Sequence, residues 1–171
     1  MRRTRALLVA PLSVLTLAAC GGSGTLTMSQ FVSEANNICT SSAASSAAVP
    51  QPSVSSLISP SKSDLPSIAT FLSTQVTILQ STVNRLTALG RPPSKQSEWT
   101  QSLAAIQKSV DDARSAQSAA ASGDVATYTT ALGRVVEDGP GIDQSVTSFG
   151  ATACSSNSPG SSTSPSPTPK R

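Results

Sequence analysis

The chain has 171 residues, with 12 Lys and Arg against 9 Asp and Glu, a formal net charge of +3 and no His. Without His, the commonest general base and metal ligand is missing, and catalytic triads built on Ser-His-Asp or Cys-His are excluded. No GxGxxG or P-loop pattern occurs, so the usual phosphate cradles are absent as well.

The first five residues carry Arg2, Arg3 and Arg5, and an apolar stretch follows from Ala6 to Ala19, ending in small residues. This is the layout of a secretory signal peptide. The stretch is shorter than the roughly 20 apolar residues that a membrane-spanning helix needs. It is also interrupted by Pro11, Ser13 and Thr16. The residues after Arg2-Arg3 fit twin-arginine export poorly, so ordinary secretion is expected.

At the end of this stretch Leu17-Ala18-Ala19-Cys20-Gly21 resembles the lipobox of bacterial lipoproteins. The resemblance implies that residues 1–19 are removed, that the Cys20 thiol carries a diacylglyceryl group, and that Cys20 becomes the mature N-terminus. The alternative is an ordinary cleaved signal in which Cys20 is incidental. Two acyl chains hold a protein stably at a bilayer where one holds it only weakly. The expected location is therefore the extracytoplasmic face of the cell membrane, with the lipid bilayer itself as first partner.

Processing alters the charge argument. Arginines 2, 3 and 5 leave with the signal, so the 12 basic residues fall to nine, equal to the nine acidic ones. Residues 27–154 hold seven basic and nine acidic residues, no basic run and five aromatics, and a nucleic-acid partner is not indicated.

Residues 20–26 form a lipidated tether, Gly-rich and able to reach only about 20 Å when extended. Residues 155–171 are a Ser/Pro/Thr tail with no apolar side chain to bury, and disorder is expected there. A ragged terminus and a role in crossing the cell wall or carrying sugars remain equally open for it.

Residues 27–154 suffice for one domain, in which four segments show helical periodicity. Thr27-Met28-Ser29-Gln30 reads as a capping box, after which Phe31, Ala35, Ile38 and Ser42 share a face. A Ser/Pro linker over 49–63 leads to a second segment over 64–89. There Ile68, Leu72, Val76, Leu79, Val83 and Leu86 form a stripe widened by Phe71 and Ile78, the most buried helix expected. Gly90 and Pro92-Pro93 terminate it. The third segment, 97–122, places Trp99, Leu103, Ile106, Val110, Ala113 and Ala120 on one side, and Gly123 stops it. Asp124 caps the fourth, which runs through Val125, Tyr128, Leu132 and Val135 to Ile142, Val146 and Phe149, with a kink or break expected at Pro140. The fold class predicted is all-α, an up-and-down bundle of about four helices.

With Cys20 assigned to lipid, Cys39 and Cys154 remain in an oxidising compartment, and a disulfide between them is expected. Free or intermolecularly paired thiols are the alternative. Bridging requires Cα atoms within about 7 Å, so the chain must turn back after Phe149, and Gly150 is where that turn is expected. Closing so long a loop stabilises a fold by roughly 4 to 5 kcal/mol on the chain-entropy model.

FVSEANNICT in the first segment, a single Trp opening the third, Gly123-Asp124 before the fourth and FGATAC at the end look like small lipoproteins of high-GC Gram-positive bacteria. The likeness spans most of residues 31–154. It implies a helical fold with a disulfide, and it implies no activity, because those proteins have none assigned.

The acid-base candidates are Asp111-Asp112 and Glu137-Asp138, but adjacent residues on a helix point about 100° apart and read as solvated faces. Glu34, Asn37 and Ser41 read as a polar outer face. Trp99 and Tyr128 read first as core anchors and second as contacts for a ligand or partner. No enzyme activity, cofactor or metal is expected. The preferred function is a binding or interaction module that takes an envelope protein or a small apolar ligand, with an uncovered apolar patch or a pocket near Trp99 and Tyr128. The alternative is a structural envelope protein without a small ligand.

Overall fold

The computed structural model describes residues 26–155. Helix α1 (Met28–Ala47) begins at the expected capping box: the Gln30 amide donates to Thr27 Oγ1 at 3.3 Å, and the Thr27 amide donates to Gln30 Oε1 at 2.9 Å. Phe31, Ala35, Ile38 and Cys39 form its buried face. Beyond Cys39 the helix consists of Thr, Ser and Ala alone, which cannot fill a core.

The Ser/Pro stretch read as a linker contains a helical turn, α2 (Val54–Ile58), capped by Ser53 Oγ, which accepts from the Ser56 amide. Five residues show too little periodicity to register in sequence. Tertiary contacts fix this turn instead: Leu57 packs on the Leu65–Tyr128 end of the core, and the Tyr128 hydroxyl donates to the Leu57 carbonyl at 2.9 Å.

Helix α3 (Leu65–Ala88) buries Leu65, Ile68, Leu72, Val76, Val83 and Leu86, following the expected stripe, while Phe71, Ile78 and Leu79 stay half-buried. Helix α4 (Gln96–Ser122) buries Trp99, Val110 and then alanines 113, 116, 119 and 120, where α5 approaches closely. Gly123, at φ 76°, ends α4, and the Asp124 carboxylate accepts from the Thr127 amide to start α5 (Val125–Phe149).

The break expected at Pro140 is absent, and α5 runs through it. Proline disfavours the helical region for the residue before it partly through a clash with that residue's Cβ. Here that residue is Gly139, which has none. The carbonyl of Val136, deprived of an amide partner by Pro140, lies on an exposed part of the helix.

Among the described residues there is no strand, and α1, α3, α4 and α5 form an up-and-down four-helix bundle with α2 at one end. Its core has three layers. Phe31, Leu86, Trp99, Val146 and Phe149 fill one end, Val76, Val83, Val110 and Ala113 the middle, and Leu65, Ile68, Ala116, Ala120 and Tyr128 the other end.

Gly150 adopts φ 108°, and the Ala151 amide donates to the Val146 carbonyl at 2.9 Å, turning the chain back after α5 as expected. A 3₁₀ turn (Thr152–Cys154) then delivers Cys154 to Cys39, and the two are joined by a disulfide with Cα atoms 5.0 Å apart. Three seams of the bundle are closed by backbone approach: α1 to α3, α3 to α4, and α4 to α5. The fourth, between α5 and α1, is bridged at one end by Phe31 on Phe149 and by the disulfide turn.

Candidate functional site

The open seam holds a cavity of about 500 Å³. Its walls follow from the residues each helix can offer there. The second half of α1 contributes Ser42, Ala43, Ser46 and Ala47; α4 contributes Ser109 beside Ile106 and Val110; α5 contributes Gly139 between Val135 and Ile142. Small side chains at the same level on three helices leave space that the aliphatic ones border. Helix α3 lines it with Phe71, Gln75, Leu79, Thr82 and Leu86, at spacings of four and three, one stripe along the helix. The Cys39–Cys154 bridge, Ala153 and Ser155 form one end.

Several of the polar groups on this wall serve the fold. Thr82 Oγ1 donates to Ser42 Oγ at 2.6 Å, and Gln75 Nε2 donates to the Ser46 carbonyl at 3.2 Å, so the Ala/Ser half of α1 is held to α3 by hydrogen bonds. Among the described residues on the wall, Asp143 is the ionisable side chain, and none is Lys or Arg. The volume falls within the range of small-molecule sites, about 300–1,000 Å³ with mostly apolar walls and few polar groups.

Trp99 and Tyr128, the two candidate contacts, are buried at opposite ends of the bundle and do not line this cavity. The Trp99 ring packs on Phe31 at 5.0 Å and Phe149 at 4.8 Å between centroids. Its Nε1 is the buried side-chain polar atom, among the described residues, that lacks a protein partner. Tyr128 is wholly buried with its hydroxyl on Leu57, and burial raises its pKa. Both are buried in the end layers, Trp99 also bordering a separate surface pocket with Arg91, Pro92, Gln96 and Thr100, whereas the cavity runs along the open seam past the middle layer, where the sequence supplies Ala, Ser and Gly. Sequence reasoning missed the cavity because it followed the aromatic residues, whereas the signal was a coincidence of small residues on three helices.

The acidic pairs diverge as their spacing requires. Asp111 pairs with Arg114 at 2.7 Å, while Asp112 and Asp138 share Lys108 at 2.9 and 2.7 Å across the α4–α5 seam. The Lys108 bond lowers the Asp112 pKa, and the Asp138 and Asp112 bonds raise that of Lys108. Among the described residues no cluster of three or more His, Cys, Asp or Glu is placed to hold a metal.

Glu34, Asn37 and Ser41 are exposed, as a polar outer face requires. Their neighbour Asn36 faces the C-terminal turn: it accepts from the Ala153 amide at 2.8 Å and donates to the Gly150 carbonyl at 3.5 Å. No helix among the described residues is long and apolar enough to cross a membrane. Cys20, with the signal and most of the tether, lies outside the described residues, as does the tail beyond Ser155.

No protein-family model, curated protein or solved structure matches the chain.

Proposed function

We propose that this protein is a lipoprotein of the extracytoplasmic membrane face that binds a small apolar molecule without transforming it. The observation that carries the reading is the open α5–α1 seam with its 500 Å³ cavity. A bundle with a purely structural envelope role has no need of an uncovered apolar space, because filling it would add stability at roughly 25 cal/mol for each Å² of apolar surface buried. The location rests on the arginine-led apolar segment and Leu17-Ala18-Ala19-Cys20. A diacylglyceryl group on Cys20 and a tether of about 20 Å would hold the bundle beside the bilayer, within reach of apolar molecules carried in it. The non-enzymatic reading is supported by the lack of His and by the engagement of Asp111, Asp112 and Asp138 in ion pairs with Arg114 and Lys108.

The test is recovery of the protein from native membranes, with its intact mass measured and its solvent extract analysed by mass spectrometry. A diacylglyceryl mass on Cys20 and an apolar compound enriched with wild type but lost from a cavity-filling Ser109→Phe variant are expected. An N-terminus other than Cys20 overturns the location, and identical extracts from the two proteins overturn the binding role.

A further inference from the structure

Resting on that binding reading, we infer that residues 40–56 form a strap, hinged at the Cys39–Cys154 bridge and at Leu57, that loosens when the cavity is empty and closes on an apolar ligand. The segment supplies Ser42, Ala43, Ser46, Ala47 and Gln51 to the cavity wall. From Thr40 through Asp64 no residue is buried, although the run includes residues 40–47 of α1 and all of α2.

Helix α1 is continuous in its hydrogen bonding and divided in its packing. Up to Cys39 it buries Phe31, Ala35, Ile38 and Cys39, whereas the part beyond is Thr, Ser and Ala with no buried side chain. Most helical stability in a protein comes from a packed apolar face, and Ser and Thr are weaker helix formers than Ala. Two polar side-chain bonds tie this part to α3, from Thr82 to Ser42 and from Gln75 to the Ser46 carbonyl. Losing one bond of this kind shifts an opening equilibrium by only about two- to tenfold. Segments with so few buried apolar contacts open locally long before the core does.

The two ends of the strap are fixed by different means. Fraying that starts at Ala47 stops at Cys39, because the disulfide fastens that position to the turn after α5. At the far end Leu57 packs on the Leu65–Tyr128 layer and accepts from the Tyr128 hydroxyl. Between the hinges Pro50 and Pro52 lack amide donors, so α1 and α2 do not merge into one stiff helix. An apolar molecule in the cavity gives Ala43 and Ala47 a surface to cover that the empty protein lacks. A ligand held by the closed strap and not by the open one suppresses the opening in proportion to its excess over the dissociation constant.

The experiment is amide hydrogen exchange of the membrane-anchored protein, resolved along the chain by mass spectrometry, without and with N-phenyl-1-naphthylamine, an uncharged apolar fluorophore. Probe emission lost in Ser109→Phe counts as cavity-bound, which separates it from probe dissolved in the bilayer. In the empty protein, protection is expected to fall at least a hundredfold between residues 35–39 and residues 42–48. Replacing both Cys39 and Cys154 by Ser should move that fall toward Ala35. Thr40→Ala, Ser41→Ala and Ser45→Ala together, at exposed positions off the cavity wall, should slow exchange of the strap about tenfold through helix propensity alone. Circular dichroism checks the helicity of each variant. Probe at about a hundred times its dissociation constant should slow residues 42–49 about a hundredfold and leave residues 35–39 unchanged. Uniform protection from 35 to 48 overturns the strap and leaves the binding reading standing, as does cavity-bound probe that leaves exchange at 42–49 unaltered. Probe emission equal in wild type and Ser109→Phe overturns both.

Discussion

Asn36 and Ala153 are 117 positions apart in sequence and joined by a 2.8 Å hydrogen bond from the Ala153 amide to the Asn36 side-chain oxygen. The same side chain donates to Gly150, so one amide group spans the turn that brings Cys154 to Cys39. Asn36 acts as a second clasp beside the disulfide. Asn36→Ala should cost about 1–3 kcal/mol, because it leaves a partly buried amide without a partner. Asn36→Asp, which still accepts, should recover much of this. Denaturant unfolding of the oxidised protein measures both, and equal losses in the two variants would show that acceptance from Ala153 is not what the side chain supplies.

Removing the disulfide acts on the same turn through a different cause. Cys39→Ser with Cys154→Ser reopens a chain loop of 115 residues in the unfolded state and should cost about 2–5 kcal/mol. The loss should be sensed at the cavity, because both cysteines line its end. Reduction of the wild type should therefore lower the unfolding midpoint and speed proteolysis near residues 150–155 before the bundle unfolds. A midpoint indifferent to reductant would contradict this account.

Tyr128 ties α2 to the bundle by a single hydroxyl. Tyr128→Phe keeps the ring in its buried layer and removes that tie. Global stability should fall by only about 1 kcal/mol, while amide exchange should rise at residues 54–58, where Val54 and Ile58 are already 56% and 64% exposed. Tyr128→Ala should instead cost about 3–5 kcal/mol and loosen the whole α2-proximal end of the bundle. Exchange data that show no difference at α2 in Tyr128→Phe would mean that the turn is held by other contacts.

Acid should weaken the fold within a defined window. The carboxyls of Asp64, Asp112 and Asp124 all titrate below the ordinary value of 3.8, held down by Ser61, Lys108 and Thr127 respectively. Depressed folded-state values contribute stability that is complete above the unfolded pKa and is lost as pH falls through the folded ones. With no His to titrate near neutrality, the melting temperature should stay level from pH 5 to 8 and decline below about 4. Asp124→Asn retains a good helix cap and should flatten the acid limb. A decline already visible at pH 6 would point to a group other than these.

The four long helices were legible because each carries its own punctuation. The Thr27–Gln30 box, Asp124 and the glycines at 90, 123 and 150 act locally, and the stripe from Ile68 to Leu86 repeats often enough to be read. The cavity was not legible in this way. Ser42, Ala43, Ser109 and Gly139 are unremarkable in their own segments, and only tertiary register sets them at one level around an unfilled space. For the same reason Trp99 and Tyr128 attracted attention as large amphipathic side chains, although size is what makes them fill the ends of the core. The two-residue reach of Asn36 across the C-terminal turn is likewise a product of folding, invisible beside exposed Asn37.

The continuity of α5 offers the sharpest reading of local against tertiary causes. A proline in a helix interior is about 3 kcal/mol less favourable than alanine, so Pro140→Ala should stabilise the bundle by up to that amount, restoring an amide donor for the Val136 carbonyl. Gly139 has open space where a Cβ would be added, so any penalty there comes from the following ring and not from a neighbouring helix. In the wild type, Gly139→Ala should therefore destabilise, because the new Cβ meets the Pro140 ring more unfavourably than the helix propensity of alanine rewards it. In a Pro140→Ala background the same substitution should stabilise by about 0.5–1 kcal/mol. A double-mutant cycle by urea unfolding reads that reversal of sign directly. If Gly139→Ala stabilised both backgrounds alike, the glycine would not be what lets the helix pass the proline, and the tertiary packing of Val146 and Phe149 would have to carry α5 through instead.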